Sequence, residues 1–270
     1  MIDTCKEYAD MHNLKFSTNP DPAKSKTKCL AFIKKNRNLE KLKLGDDSLP
    51  WVTNGKHLGN NVENVINGLK KDMMIKRATY INRNNELSQE FFFAHPETKF
   101  KLNSIYNLSF SGSPLWNLFG KEAQMIENSY NVSVRAMFDI PRNTHKNLIE
   151  AITDTSHIKS ILIQRFLSFI DQIKNCPKPI VNNVLSVKKH DARSTTGSNL
   201  RNIMQLCQKE SINELKPSDS KMIRYHPIPE EEKWKVQYIK EIIEVRTGNM
   251  SIEGFSQYEL DEIMEFMCTS

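Results

Sequence analysis

Little in this chain belongs to the common metal and redox sites. Five cysteines, Cys5, Cys29, Cys176, Cys207 and Cys268, are scattered through 270 residues without a Cys-x-x-Cys pair or a histidine at ligand spacing. That excludes a zinc site and a disulfide framework. Unpaired thiols suit a reducing intracellular compartment, nucleus or cytoplasm. The seven histidines include no His-Glu-x-x-His and no His-x-His. Glycine is scarce, nine residues in all, and none forms a phosphate-cradling loop; Gly45, Gly55, Gly59 and Gly68 stand singly near the N-terminus. Long apolar runs are missing as well. The most apolar window, Ile158 to Ile173, is broken by Lys159, Gln164, Arg165 and Asp171, and no apolar signal follows Met1. No membrane partner is expected. No internal repeat stands out.

What is present is length and charge. A chain of 270 residues can bury a real hydrophobic core, as one large domain or two small ones. The net charge of +6 is unevenly distributed: residues 1 to 225 hold 34 Lys+Arg against 22 Asp+Glu, or +12, while 226 to 270 hold 4 against 10, or -6. A basic body suits a polyanion such as nucleic acid, because each neutralised phosphate releases counterions. A well-solvated surface accounts for the same charge equally well.

The stretch from 100 to 152 carries the clearest pattern, and its spacing predicts three helices. The first runs from Phe100 through Leu102, Ile105, Tyr106 and Leu108 and ends at Ser111-Gly112. Ser113 then stands as an N-cap with Pro114 at the first helical position, where a missing amide hydrogen matters least. The second helix carries Leu115, Trp116, Phe119, Ala123, Ile126, Tyr130, Val134 and Met137 as one apolar stripe and stops at Pro141. Asn143 or Thr144 caps a third helix, which begins near His145 and shows Leu148, Ile149 and Ile152.

Earlier in the chain, Met1 to Leu14 has helical rhythm, with Ile2, Cys5, Ala9 and His12 on one side. Lys28 to Ile33 reads as a buried strand, and Lys41 to Val52 as a hairpin around Gly45-Asp46-Asp47-Ser48. So few strands make no independent sheet and suggest the end of a larger α+β domain. A long helix is expected from Asn60 to Ser88, with Val62, Val65, Ile66, Leu69, Met73, Tyr80 and Leu87 inward. Lys70, Lys76, Arg77 and Arg83 flank that stripe and are candidates for nucleic-acid contact, although a solvated helix face has the same composition. Later, His157 to Ile173 is helical and is closed by Cys176-Pro177 and Pro179. Val181 to Val187 and Leu200 to Ile212 continue the rhythm around a loop at Ser194-Thr195-Thr196-Gly197. Lys216 to Ser220 and His226 to Glu230 read as linker, followed by a helix from Glu231 to Arg246 and a short acidic one from Tyr258 to Met267.

The wording of the central block is more specific than its periodicity. Tyr106, the run Ser109-Phe110-Ser111-Gly112-Ser113, Leu115-Trp116, Asn131 followed by Arg135, Ile140-Pro141 and Thr144-His145, in that order, resemble the thumb of non-LTR (LINE-type) retrotransposon reverse transcriptases. Met1 to Phe32 is similar to the segment that follows the Tyr-x-Asp-Asp strand of their palms, which implies a helix, a strand ending at Phe16, a turn at Lys24-Ser25-Lys26-Thr27 and then the next strand. Trp51-Val52 and His57-Leu58-Gly59 resemble their palm-to-thumb hairpin, which grips the primer end. The resemblance runs to about Arg201. It implies a mainly α chain, with a small α+β palm remnant over 1 to 59, an all-helical thumb and connector over 60 to 215, and a linker with an acidic helical tail over 216 to 270.

Several functional expectations come with that resemblance. The partners are an RNA template and a DNA primer, and Trp51, His57 and Gly59 lie where the primer is gripped. Lys24 or Lys26 would stand near the triphosphate of the incoming nucleotide, where an ammonium neutralises or protonates the leaving pyrophosphate. The parent polymerase uses Mg2+, but its carboxylates and the rest of the palm and fingers lie upstream, so this chain has no cofactor and is inactive alone. Tyr8-Ala9-Asp10 mimics a reverse-transcriptase motif with one carboxylate too few, on a helix. Asp46-Asp47 pairs carboxylates in what turn chemistry already explains. Trp51 and Trp116 could stack on bases, but both are expected in a core. His145 is expected to make a local hydrogen bond rather than to act as a base. The competing reading is a non-enzymatic helical nucleic-acid-binding module, or an inactive transposon relic.

Overall fold

A computed structural model describes residues 2–19, 21–32, 39–57, 59–63, 69–223 and 228–246. It divides into two compact units, Met1–Asp72 and Met73–Ser270. The first is a mixed α/β unit and the second mostly helical, which is the expected fold class.

In the first unit, α1 spans Ile2–Met11 and is braced by a Lys6–Asp10 pair one turn apart, at 3.2 Å. Of the four residues expected inward only Ala9 is buried, while Cys5 and His12 are exposed. The helix stops at Met11 and packs on the strand that holds Leu44. Six strands follow among the described residues: β1 Cys29–Leu30, β2 Lys43–Leu44, β3 Asp47–Ser48, β4 Trp51–Val52, β5 Asn54–His57 and β6 Asn60–Glu63. They form three separate two-stranded ladders, β1 parallel to β4, β2 antiparallel to β3, and β5 antiparallel to β6. The β2–β3 hairpin turns at Gly45, whose φ of +64° suits a residue without Cβ. Asp47, expected in the turn, is instead the strand residue opposite Leu44. The strand expected to end at Phe16 does not form; the Ser17 carbonyl accepts the amides of Lys26 and Thr27 instead.

The helix expected from Asn60 begins only at Lys70. Asn60 to Glu63 pair with β5, and Val65 and Ile66 fall outside the described residues. The helix itself, α2, spans Lys70–Glu90. In its first turn Asp72 is fully buried and its carboxylate accepts the Asn61 amide at 2.9 Å, which ties the helix start to the hairpin.

In the second unit Met73, Tyr80 and Leu87 of α2 are buried as their spacing predicts. The next helices are α3 Pro96–Leu102, α4 Lys121–Met137, α5 Lys146–Thr153, α6 Ile158–Lys174, α7 Pro179–Lys188, α8 Thr195–Leu206 and α9 Lys233–Arg246. Between α3 and α4 the chain tightens into a π-helical turn, Asn103–Asn107, then a 3-10 turn, Ser113–Leu115. The expected cap at Ser113 does not form. Among the described residues its buried hydroxyl has no hydrogen-bond partner, and α4 begins eight residues later behind Gly120. Pro114 stiffens the 3-10 turn instead, and Trp116 to Phe119 are loop. From Ala123 onward the predicted stripe holds, with Ile126, Tyr130, Val134 and Met137 all buried. The helix ends at Met137, before Pro141, because Asp139 takes a left-handed φ of 51°.

Two further readings are corrected. Ser194 to Gly197 is no loop but the start of α8: the Ser194 hydroxyl accepts the Gly197 amide at 3.0 Å, an N-cap, and the helix ends at Leu206, before the left-handed Gln208. Lys216 to Ser220 is no linker either. Pro217–Met222 is a 3-10 turn packed on α6, with Asp219 and Ser220 buried and Asp219 accepting the Lys216 amide at 2.8 Å. The expected acidic helix from Tyr258 lies outside the described residues. Among those residues no helix is long and apolar enough to cross a membrane.

Candidate nucleic-acid interface

The lysine turn of the first unit is built by short polar side chains. Asn19 accepts the Asp21 amide and Asp21 accepts the Ala23 amide, each at 2.9 Å, while the Asp21 carbonyl receives Lys24 and Ser25. Ser25 is buried and donates to the Thr27 carbonyl at 2.6 Å. Lys24 and Lys26 flank it, both exposed. The backbone is therefore fixed while two ammonium groups face solvent.

Of the hairpin candidates, Trp51 is half-buried rather than core, and its indole donates to the Glu40 carbonyl at 2.9 Å. It sits opposite Cys29 in the parallel ladder. His57 is exposed at the end of β5, opposite Asn60, and Gly59 follows in the turn at φ +81°. Among the described residues nothing lies within 4 Å of a Cβ placed on Gly59, so the glycine serves backbone conformation rather than close approach. Leu58 lies outside the described residues.

The carboxylates singled out in the sequence stand in separate elements, Asp10 on α1 and Asp47 on β3. Asp10 is paired with Lys6, and Asp47 accepts the Thr18 hydroxyl at 2.5 Å in a hairpin. Among the described residues no three His, Cys, Asp or Glu side chains are placed to hold a metal ion.

Along α2 the four basic candidates have separate fates. Lys70 and Arg83 are exposed. Lys76 donates to the Ser111 hydroxyl at 2.9 Å. Arg77 lies against α4, where its Nε donates to the Ser129 hydroxyl at 2.7 Å and the Met125 carbonyl at 3.2 Å. Arg77 is thus committed to helix packing.

Some motif residues between 106 and 145 pack together in the second unit, in two separate places. Trp116 is fully buried, and its ring lies 5.7 Å from Phe110, which lies 5.8 Å from Tyr80. Arg135 donates through Nε and a terminal nitrogen to the Thr144 carbonyl, at 3.0 and 2.5 Å. Burial lowers the pKa of that guanidinium. Burial also pushes the Tyr80 phenol up to about 12, partly offset by hydrogen bonds with Ser133 and Asn103. His145 occupies the N-cap position of α5 and is exposed, with no side-chain cap bond. Tyr106 is exposed.

Two organising residues carry no signature in the sequence. Asn199 of α8 is fully buried and brackets the tryptophan loop, donating to the Trp116 carbonyl at 2.8 Å and accepting the Leu118 amide at 3.1 Å. His157 caps α6 by accepting the Lys159 amide at 3.2 Å, and its other ring nitrogen meets Asn131 at 3.3 Å. Only its place just before an apolar helical run hinted at a cap.

No family model, curated protein or solved structure matches this chain. The features its own geometry offers are exposed lysines on a hydrogen-bonded turn in one unit, and helices assembled around a buried tryptophan in the other.

Proposed function

We propose that this chain is the end of the palm and the thumb of a non-LTR retrotransposon reverse transcriptase, an RNA-directed DNA polymerase. In that role it grips an RNA template and a DNA primer through backbone and shape rather than base edges. The observation that supports the reading most is the ordered pattern from Tyr106 to His145. Within that pattern Arg135 holds the Thr144 carbonyl, and the fully buried Trp116 packs beside Phe110. The +12 balance over residues 1 to 225 suits a polyanionic partner.

In this reading Lys24 or Lys26 meets the nucleotide triphosphate, and Trp51, His57 and Gly59 belong to the primer grip. Lys70, Lys76 and Arg83 add positive field, and Arg77 acts by orienting α2. The Mg2+-binding carboxylates are supplied from upstream, so the chain alone does not polymerise. Reading the transcript upstream of Met1 tests this directly. An in-frame Tyr-x-Asp-Asp a few tens of codons earlier is the expected result. Stop codons throughout that interval would instead mark a helical nucleic-acid-binding module or an inactive relic.

A further inference from the structure

A cleft of about 490 Å3 opens in the helical unit between segments some fifty residues apart in sequence. One wall is the turn Ser109 to Pro114, sharpened by Gly112 at φ +83°. The other is α6, which presents Gln164, Ser168 and Gln172 at a spacing of four, together with Arg165 and Phe169. The polar side chains of this lining are serines, glutamines and one arginine, and it contains no carboxylate.

Arg165 is the unusual member. It is half-buried, and among the described residues it makes no hydrogen bond or ion pair. Burial alone moves its pKa, downward, with no neighbouring carboxylate to offset the loss of water. A partly desolvated cation without a counter-ion is unfavourable until an anion arrives, and the guanidinium fork matches a phosphate. Lys76 brings a second positive charge to the opposite wall through its bond to the Ser111 hydroxyl.

We propose that this cleft binds a phosphate group of a nucleic-acid backbone, with Arg165 as its main ligand and Gln164, Ser168 and Gln172 as flanking hydrogen-bond donors. The assignment rests on the proposed function and adds to it the place where the helical unit holds the strand. The volume admits a sugar-phosphate unit, and donors without base-shaped pockets give binding indifferent to sequence.

The test uses the whole chain and a labelled RNA–DNA hybrid titrated across a salt series. Arg165→Gln is expected to weaken binding several-fold and to reduce the slope of log affinity against log salt by about one, as loss of one phosphate contact does. Gln172→Glu, at an exposed position on the rim, is expected to weaken binding in the same direction, and it decides the question if Arg165→Gln lowers the melting temperature. Wild-type affinity and slope in both variants would overturn the cleft while leaving the proposed function standing. Failure of the wild-type chain to bind the hybrid at low salt would overturn both.

Discussion

His157 accepts the Lys159 amide through Nδ1, so in the neutral ring the proton sits on Nε2, which donates to Asn131. Burial lowers its pKa to about 4, against the opposing pull of Glu127. The sign follows from proton binding. Between about pH 6.5 and 4 the unfolded chain takes up a proton that the folded chain refuses, so stability falls as pH drops through that window and levels off below it. The loss is at most on the order of 3 kcal/mol. His157→Asn keeps an acceptor for the cap but does not titrate. Its urea midpoint should change less than the wild type's between pH 7 and pH 5, and equal changes would remove His157 as the cause. At the centre of the same unit, Trp116→Ala is expected to destabilise by roughly 3 to 5 kcal/mol, because the emptied space is bounded by Phe110 and the Asn199 clamp. A loss well under 1 kcal/mol, with weakened nucleic-acid binding, would make Trp116 a stacking residue instead.

Helix ends decide the packing of elements. The first turn of α8 carries both a cap and a close approach: a Cβ on Gly197 would lie 2.3 Å from the Asp191 carbonyl oxygen, in the connection after α7, and 2.7 Å from that of Lys188, the last residue of α7. Gly197→Ala should therefore destabilise by roughly 1 to 3 kcal/mol even though alanine favours helix. Ser194→Ala should cost about 1 kcal/mol through the lost cap. Denaturant titration of the two variants separates the causes. A stabilised Gly197→Ala would mean that the α7–α8 approach yields freely. Asn199 lies two residues further along α8, so both changes should also loosen the tryptophan loop, visible as faster amide exchange at Leu118.

For the whole molecule, the contrast between the units predicts uneven protection. Unit Met1–Asp72 holds ladders of two to four residues with open edges, and few of its described side chains are buried. Its amides should exchange quickly, while those of α4 and α6 exchange slowly; uniform protection from Cys5 onward would contradict this. Removing residues 226 to 270, which hold -6 of charge, should strengthen hybrid binding at low salt but also take away α9, whose Ile239 and Ile243 are buried. Charge neutralisation within 251 to 270 is the cleaner variant, and unchanged affinity would remove the tail from the electrostatics. Primer extension with Mg2+ or Mn2+ should give no product. Extension that disappears in Asp46→Ala/Asp47→Ala would place a metal site where the structure has a hairpin.

Periodicity by itself determined the strips that α2, α4, α5 and α6 bury, because a face that must leave water recurs every three or four residues wherever the helix sits. Ile126, Tyr130 and Val134, or Leu148, Ile149 and Ile152, were legible for that reason, and so was the Gly45 hairpin. Helix starts were not. Ser113 and Pro114 have the chemistry of an N-terminus, yet the chain there closes a 3-10 turn over Phe110 and Trp116, and Ser194 begins a helix where its neighbours read as loop. Asn60 to Glu63 became a strand because β5 lay ready to pair with it. Only tertiary structure could assign Asn199 and Arg165. A polar residue on a helix looks solvated in sequence, and its role is fixed by which backbone or cleft, dozens of residues away, the fold sets opposite it.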